Sequence, residues 1–359
     1  MPNPSMDVID FVVSKQNGVT GLSNDFPLQT LPPPYILPPE ERLLPGKILC
    51  TDQIPIFDVG DWSDARVASQ ICDAASRFGF FQVVNHGIPM ETMDAVTAAA
   101  RAFYALPSEE RRRFWKGNPA AETVFLQTSF SPMAEAVLEW KDYLMFSYDP
   151  ENDEASSLWP SVCKDQVMEY MKSAQPVIKN LLAILMKNLN VNEIDESLSN
   201  SLMGSFKISF NHYPKCPNPD LAAGVGRHSD ISAITVLLQD DVGGLYVRAN
   251  EQEEDDRWIH VAPTRGALVI NVGDVLQMMS NDLYKSIEHR VVASGARNRV
   301  SVPIFVNPRE DAAIKPLPEA VAMTGEAAVY REIVFSDYFS YFFSKGHDGK
   351  KTIDFAKIK

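Results

Sequence analysis

His228 and Asp230 lie two positions apart in the run Gly226-Arg227-His228-Ser229-Asp230. In an extended segment such a pair leaves the same face, so an imidazole and a carboxylate stand side by side. A second imidazole, His289, follows 59 positions after Asp230. Two His and one carboxylate form a facial donor set that suits non-haem Fe(II) and leaves coordination positions open. Taken alone, His-x-Asp reads equally well as a turn-capping His beside a solvated Asp. Its surroundings narrow the choice. In Asn298-Arg299-Val300-Ser301, Arg299 and Ser301 again share one strand face. A guanidinium fork beside a hydroxyl is what a distal carboxylate needs. Upstream, Asn211-His212-Tyr213-Pro214 closes an alternating run. Asn211 and Tyr213 point to one side of it and His212 to the other.

The elements that must carry these groups change character along the chain. Residues 1–48 form a leader with a short amphipathic stretch (Val8, Phe11, Val12, Val13) and a turn signal at Asn17-Gly18-Val19. Pro32, Pro33, Pro34, Pro38 and Pro39 then predict an extended surface lead-in. Residues 49–200 are mainly helical. Ser63 or Asp64 caps a first helix, Met90 to Leu106 forms a second, and Asp165 to Asn190 carries the longest apolar stripe. Pro176 inside that stripe predicts a kink or break. Over 201–310 the period becomes two, as Phe206, Ile208 and Phe210 alternate with Lys207, Ser209 and Asn211. Short strands punctuated by Gly-containing turns predict an antiparallel sandwich or barrel. Residues 311–359 add a helix with Tyr338, Phe339, Tyr341, Phe342 and Phe343, read first as packing on the barrel and second as lining an entrance.

The remaining histidines read as non-ligands. His86, in Asn85-His86-Gly87, ties a turn, and His260 and His347 have no visible partner. Glu251 to Asp256 is an acidic run that reads as a solvated loop between strands.

Through Asn211-His212-Tyr213-Pro214, His228-x-Asp230, Glu288-His289-Arg290 and Arg299-x-Ser301-x-Pro303, the chain resembles plant 2-oxoglutarate- and Fe(II)-dependent dioxygenases from about Ile54 onward. The resemblance implies an α+β fold: a double-stranded β-helix (jelly roll) flanked by N-terminal helices and a C-terminal helix. It implies that His228, Asp230 and His289 bind iron. It also implies that Arg299 and Ser301 hold the far carboxylate of 2-oxoglutarate, with Tyr213 and Asn211 beside it. Ascorbate is the reductant expected for such an enzyme. His212 departs from the many relatives that carry a second Tyr there. Phe305, further along the face of Arg299 and Ser301, and Phe130 are the substrate-side candidates.

Gln127-Thr128-Ser129-Phe130-Ser131-Pro132 and Leu138-Glu139-Trp140-Lys141-Asp142-Tyr143-Leu144 resemble the branch that ortho-hydroxylates feruloyl-CoA or p-coumaroyl-CoA toward coumarins such as scopoletin. Phe11-Val12-Val13, Asn17-Gly18-Val19 and His347-Asp348-Gly349-Lys350-Lys351 carry the same likeness. Scopoletin 8-hydroxylases, which take a free coumarin, share much of the pattern and form the alternative. Two other readings are an ascorbate-using oxidase of the same fold, as in ethylene formation, and a non-catalytic ligand cup. The segments at 128–132 and 139–144 speak against the first, and an intact ligand triad against the second.

The chain of 359 residues has 33 basic and 47 acidic side chains, a net charge of −14. That disfavours nucleic acid and anionic membranes as partners. It also sits uneasily with a polyanionic coenzyme A ester, unless Arg111, Arg112, Arg113 and Lys116, or Lys345, Lys350 and Lys351, form a local basic patch. Four scattered cysteines, no long apolar run and a poor signal sequence predict a cytoplasmic protein with reduced thiols. The family default is a monomer that takes a small aromatic substrate and dioxygen.

Overall fold

The computed structural model describes residues 7–49, 54–118, 123–150, 153–249 and 256–358. Thirteen strands build two facing sheets. In chain order they are β1 (Ile48–Leu49), β2 (Ile56–Asp58), β3 (Phe80–Val84), β4 (Val124–Thr128), β5 (Asp142–Tyr148), β6 (Ser205–Tyr213) and β7 (Val225–His228). Then come β8 (Ile234–Gln239), β9 (Leu245–Arg248), β10 (Trp258–His260), β11 (Leu268–Val272), β12 (His289–Val291) and β13 (Arg299–Asn307). The larger sheet runs β2-β3-β11-β8-β13-β6-β5-β4 and the smaller β1-β10-β9-β12-β7. The pairings within the 205–307 segment are antiparallel, as the period-two pattern predicts. This is a jelly-roll core with helices around it.

The helices cover the outer face of the larger sheet. Asp64 accepts from the Arg66 amide and caps α1 (Ala65–Arg77). Met90–Tyr104 (α2) and Lys164–Asn188 (α3) pack on each other. The long helix runs unbroken through Pro176. A mid-helix proline costs about 3 kcal/mol. Here Val177, Ile178, Leu181, Leu182 and Leu185 are buried around it, and their burial outweighs that penalty.

The leader differs from expectation. Gly18, at φ +68°, opens a short helix over Gly18–Asp25, where a turn was expected. The proline-rich segment makes 3₁₀ turns at Pro33–Tyr35 and Pro39–Glu41, and it does not simply lie on the surface. Tyr35 is fully buried, its ring 4.8 Å from that of Trp140. Prolines deny the chain donors, but they do not stop the apolar residues between them from packing. Asp142 anchors the leader by accepting from the amides of Val19 and Thr20 at 2.9 and 2.8 Å. The acidic run at 251–255 lies outside the described residues. Asp256, its last member, pairs with Lys47 at 3.4 Å and Arg227 at 3.6 Å.

Candidate functional site

Register brings the first three groups together. On the smaller sheet His289 lies directly opposite His228 across the β12–β7 pair. Asp230 follows two residues after His228, just beyond the strand. The ligand atoms of His228, Asp230 and His289 all lie within 4.8 Å of one another. Each imidazole Nε2 faces the same oxygen, Asp230 Oδ1, at 3.5 Å from His228 and 3.8 Å from His289.

The hydrogen bonds around the cluster decide which atoms remain available. His228 Nδ1 lies 2.9 Å from the Gly226 carbonyl and His289 Nδ1 3.2 Å from the Ile287 carbonyl. A carbonyl only accepts, so each ring donates from Nδ1, and Nε2 is the nitrogen left facing the cluster. Asp230 Oδ2 accepts from Thr235 Oγ1 at 2.6 Å and Asn271 Nδ2 at 2.7 Å, which leaves Oδ1 free. Burial pushes the His289 pKa down to about 4, with the neighbouring His228 acting the same way, so the ring is neutral near pH 7. Burial works against the Asp230 carboxylate, but His289, His228 and Thr235 outweigh it and hold its pKa below the usual range. Two imidazole Nε2 atoms and one carboxylate oxygen, converging and otherwise unclaimed, are donors that fit Fe(II).

Across the cavity, β13 faces the cluster with Arg299, Ser301, Pro303, Phe305 and Asn307. Arg299 is 1% exposed. Its Nη1 donates to Ser301 Oγ at 3.1 Å and its Nη2 to Gln239 Oε1 at 3.3 Å. Its Nε has no partner, and among the described residues no carboxylate pairs with the guanidinium. A buried cation without a counter-ion is costly unless an anion arrives. The ring of Tyr213 lies under it at 4.9 Å. Tyr213 and Asn211 are the β6 register partners of Arg299 and Ser301, and both line the cavity. His212 points the other way, stacked on Tyr104 at 4.5 Å and bonded to Thr20 Oγ1 at 2.9 Å.

The rest of the wall is largely apolar: Phe130, Met145, Leu237, Phe305, Phe339, Phe342 and Phe343. The C-terminal aromatic stripe therefore does both jobs considered for it. Tyr338 is buried in the core and donates to Asp274 at 2.7 Å, while Phe339, Phe342 and Phe343 line the cavity. Asp274 also accepts from Ser286 at 2.7 Å and from Ser229, between the two ligand candidates, at 3.2 Å. This network ties the C-terminal helix, Phe335–Phe343, to the loop between His228 and Asp230.

Two of the histidines set aside from the sequence have partners after all. His260 Nε2 accepts from the Gly244 amide at 3.4 Å. His347 matters more, because its ring is sandwiched between Phe130 at 4.0 Å and His228 at 4.4 Å. Its Nδ1 lies 2.8 Å from Glu139 Oε1, which also accepts from the Gly226 amide at 2.7 Å. Lys141 completes the group, 3.0 Å from Glu139 Oε2. Burial and the adjacent Glu139 raise the nearby Glu135 to about 8. Burial opposes ionisation of Glu139 too, but Lys141 and His347 keep it charged. His86, by contrast, ties its turn as expected, lying 3.1 Å from the Gly266 carbonyl and accepting from the Ile88 amide at 3.2 Å.

With this geometry in hand, the chain's likenesses fall into place. Residues 205–308 match the 2OG-Fe(II) oxygenase superfamily, and residues 54–164 match the N-terminal region of non-haem dioxygenases, described as in morphine synthesis. The chain belongs to the 2OG-Fe(II) oxygenase superfamily. A feruloyl CoA ortho-hydroxylase of Ipomoea batatas is 53% identical over 98% of this chain and 97% of its own length. Feruloyl CoA ortho-hydroxylase 1 of Arabidopsis thaliana is 52% identical over 99% and 97%. A bi-functional coumaroyl CoA and feruloyl CoA ortho-hydroxylase of Ruta graveolens is 48% identical over 98% and 95%. Among solved structures, JOX2 in complex with 2OG, Fe and JA superposes with a TM-score of 0.83 at 32% identity, covering 95% of this chain and 98% of that one. The protein is thus an oxygenase of the kind that uses Fe(II) and 2-oxoglutarate.

Proposed function

We propose that this enzyme ortho-hydroxylates a hydroxycinnamoyl-CoA ester, feruloyl-CoA or p-coumaroyl-CoA, to a product that isomerises and closes to a coumarin such as scopoletin. The observation that carries the site assignment is buried Arg299, with no carboxylate partner among the described residues, facing a convergent His-Asp-His cluster across an apolar cavity. The near-full-length likeness to ortho-hydroxylases of these thioesters supports the substrate. His228, Asp230 and His289 hold the iron. Arg299 and Ser301 take the distal carboxylate of 2-oxoglutarate, with Tyr213 and Asn211 beside it. Iron and 2-oxoglutarate, when bound, supply oxidising power from dioxygen by oxidative decarboxylation to succinate and carbon dioxide. The chain's own contribution is placement and dryness. Phe305 and Phe130 flank the aromatic ring, and the C-terminal aromatics keep water out. Ascorbate keeps the iron reduced. The enzyme works as a cytoplasmic monomer; among the described residues no helix is long and apolar enough to cross a membrane.

The test is turnover by purified protein with Fe(II), 2-oxoglutarate and ascorbate, offered feruloyl-CoA, p-coumaroyl-CoA, free ferulate or scopoletin. Succinate formation coupled to a hydroxylated thioester that closes to a fluorescent coumarin is expected. Turnover of scopoletin but of neither thioester would replace this substrate with a free coumarin. His228→Ala should abolish Fe(II) binding, and tight binding by that variant would remove the metal assignment.

A further inference from the structure

The cavity contains a cation that neither iron nor 2-oxoglutarate uses. Lys207 lines it from β6. Among the described residues no hydrogen bond or ion pair holds its ammonium, and the Phe339 ring lies 5.8 Å away. Burial pulls its pKa down, the charge of Glu310 acts in the opposite sense, and the smaller effect of Lys116 pushes it down further. Two lysines are thus close enough to feel each other in a protein of net charge −14.

Strand register fixes where they stand. Asn271, Thr235, Phe305 and Lys207 are successive partners across β11, β8, β13 and β6. Asn271 and Thr235 are the residues that hold Asp230. With strands about 4.8 Å apart, Lys207 starts roughly 10 Å from Thr235 along that row. In the neighbouring row, Phe125, Met145 and Ser209 are partners across β4, β5 and β6, and so share a face. Met145 and Ser209 line the cavity, so Phe125 extends its wall to the sheet's edge. Lys116 Nζ lies 5.3 Å from the Phe125 ring, and the residue is exposed. Edge strand β4 is four steps from Thr235, about 19 Å. The wall is more open on this side: Met145, Lys207, Phe305, Phe339 and Phe343 are all part-exposed, whereas Tyr213, Arg299 and Ser301 at the other end are buried.

We propose that Lys207 and Lys116 form a cationic track at the mouth of the cavity that receives the phosphates of a coenzyme A thioester. This rests on the substrate reading above and adds the residues that select the activated ester over the free acid. The pantetheine arm has about thirteen bonds between sulfur and diphosphate, roughly 15 Å when extended. Adding roughly 5 Å from the reacting ring carbon to the sulfur gives about 20 Å, close to the run of about 19 Å from Thr235, across Met145 and Phe125, to the sheet edge. Of the other basic residues considered from sequence, Arg113 and Lys351 are exposed and do not line the cavity, and four more are engaged elsewhere. Arg111 donates to the Tyr104 and Leu106 carbonyls, Arg112 bonds Asn17, Lys345 pairs with Asp348, and Lys350 bonds Gln277 and the Ser286 carbonyl.

The experiment compares wild type, Lys207→Met, Lys116→Met and the double variant on two substrates. These are feruloyl-CoA and the feruloyl thioester of N-acetylcysteamine, which keeps the acyl group and the sulfur but has no phosphate. Binding of free coenzyme A is measured by calorimetry in parallel. We expect KM for feruloyl-CoA and Kd for coenzyme A to rise about 10-fold in each single variant and more in the double. KM for the short thioester should stay within about twofold, and the salt dependence of feruloyl-CoA KM should flatten in the variants. An equal loss on both thioesters would place Lys207 on the acyl group and overturn the track. So would an unchanged feruloyl-CoA KM, or wild type that does not bind coenzyme A. Wild type that binds coenzyme A tightly through these lysines yet hydroxylates only scopoletin would instead overturn the substrate reading and leave the track standing.

Discussion

Replacing Arg299 by lysine keeps the charge and removes the fork. In the structure Nη1 already donates to Ser301 and Nη2 to Gln239, so the plane of the guanidinium is fixed before any co-substrate arrives. A bidentate grip on a carboxylate uses two charge-assisted hydrogen bonds, and an ammonium at the same site can reproduce at most part of that geometry. A hydrogen bond to a charged group is worth roughly 1.5–3 kcal/mol. Loss of one should raise the 2-oxoglutarate KM of Arg299→Lys about 10- to 100-fold. Arg299→Met sharpens the test. It removes a buried cation that has no counter-ion among the described residues, so the co-substrate-free protein should melt no lower than wild type. It should also lose the stabilisation that 2-oxoglutarate gives wild type, about 2.7 kcal/mol at one hundred times Kd. The assays are 2-oxoglutarate titration of succinate formation and thermal melting with and without 2-oxoglutarate, with Fe(II) binding as the control. An unchanged 2-oxoglutarate KM in Arg299→Lys with normal iron binding would refute the reasoning.

Three further outcomes are expected. Tyr338→Phe withdraws a donor from buried Asp274, whose network includes Ser229, and should weaken Fe(II) affinity up to about 10-fold; iron titration that matches wild type would count against this support. Glu139→Gln should leave Lys141 short of its counter-charge and loosen the grip on His347. Melting should then drop by an amount equivalent to about 3 kcal/mol, with faster proteolytic clipping near residue 347; an unmoved clipping rate would dissociate the pair from the tail. His212 is pushed down to about 3 by burial and by Arg111, so the folded state favours its neutral form. Its contribution is complete above the unfolded value near 6.5 and is lost as pH falls toward 3. His212→Phe should lower stability at neutral pH but flatten the acid limb of the denaturation profile, and an equally steep limb would point to other groups.

What the sequence showed and what it hid divides by range. The convergence of His228 with Asp230, of Arg299 with Ser301 and of Asn211 with Tyr213 was legible because period-two geometry assigns faces from sequence alone. The placement of His289 opposite His228 needed the β12–β7 register, which no local pattern contains. His347 was set aside because nothing near it in sequence could partner it; its carboxylate lies 208 positions away. A weak cue existed in Glu139, Lys141 and Asp142, three charges set among Leu138, Trp140, Tyr143 and Leu144. Such residues are rarely fully buried unless paired, so alternating charges among aromatics in Glu139-Trp140-Lys141-Asp142-Tyr143 hinted at a buried ion group. The leader was misjudged for a different reason, since proline content reports on backbone donors and not on what Tyr35 or Leu31 can bury.

The charge problem resolves by locality. A net charge of −14 acts on a distant anion, but at physiological salt a field decays over about 8 Å. Within the cavity the relevant charges are those that line it. Asp230 is the one carboxylate among the described lining residues, and it faces His228 and His289. The cations there are Arg299 at one end, Lys141 beside the His228 wall and held by Glu139, and Lys207 toward the mouth. A dicarboxylate entering this space meets a buried guanidinium with no competing acid, so an acidic protein can still bind an anionic co-substrate. The same reasoning removes net charge as an argument for a free aromatic substrate over a thioester. What separates the two is whether the cation at the mouth does any binding, and Lys207→Met on substrates with and without phosphate measures that directly.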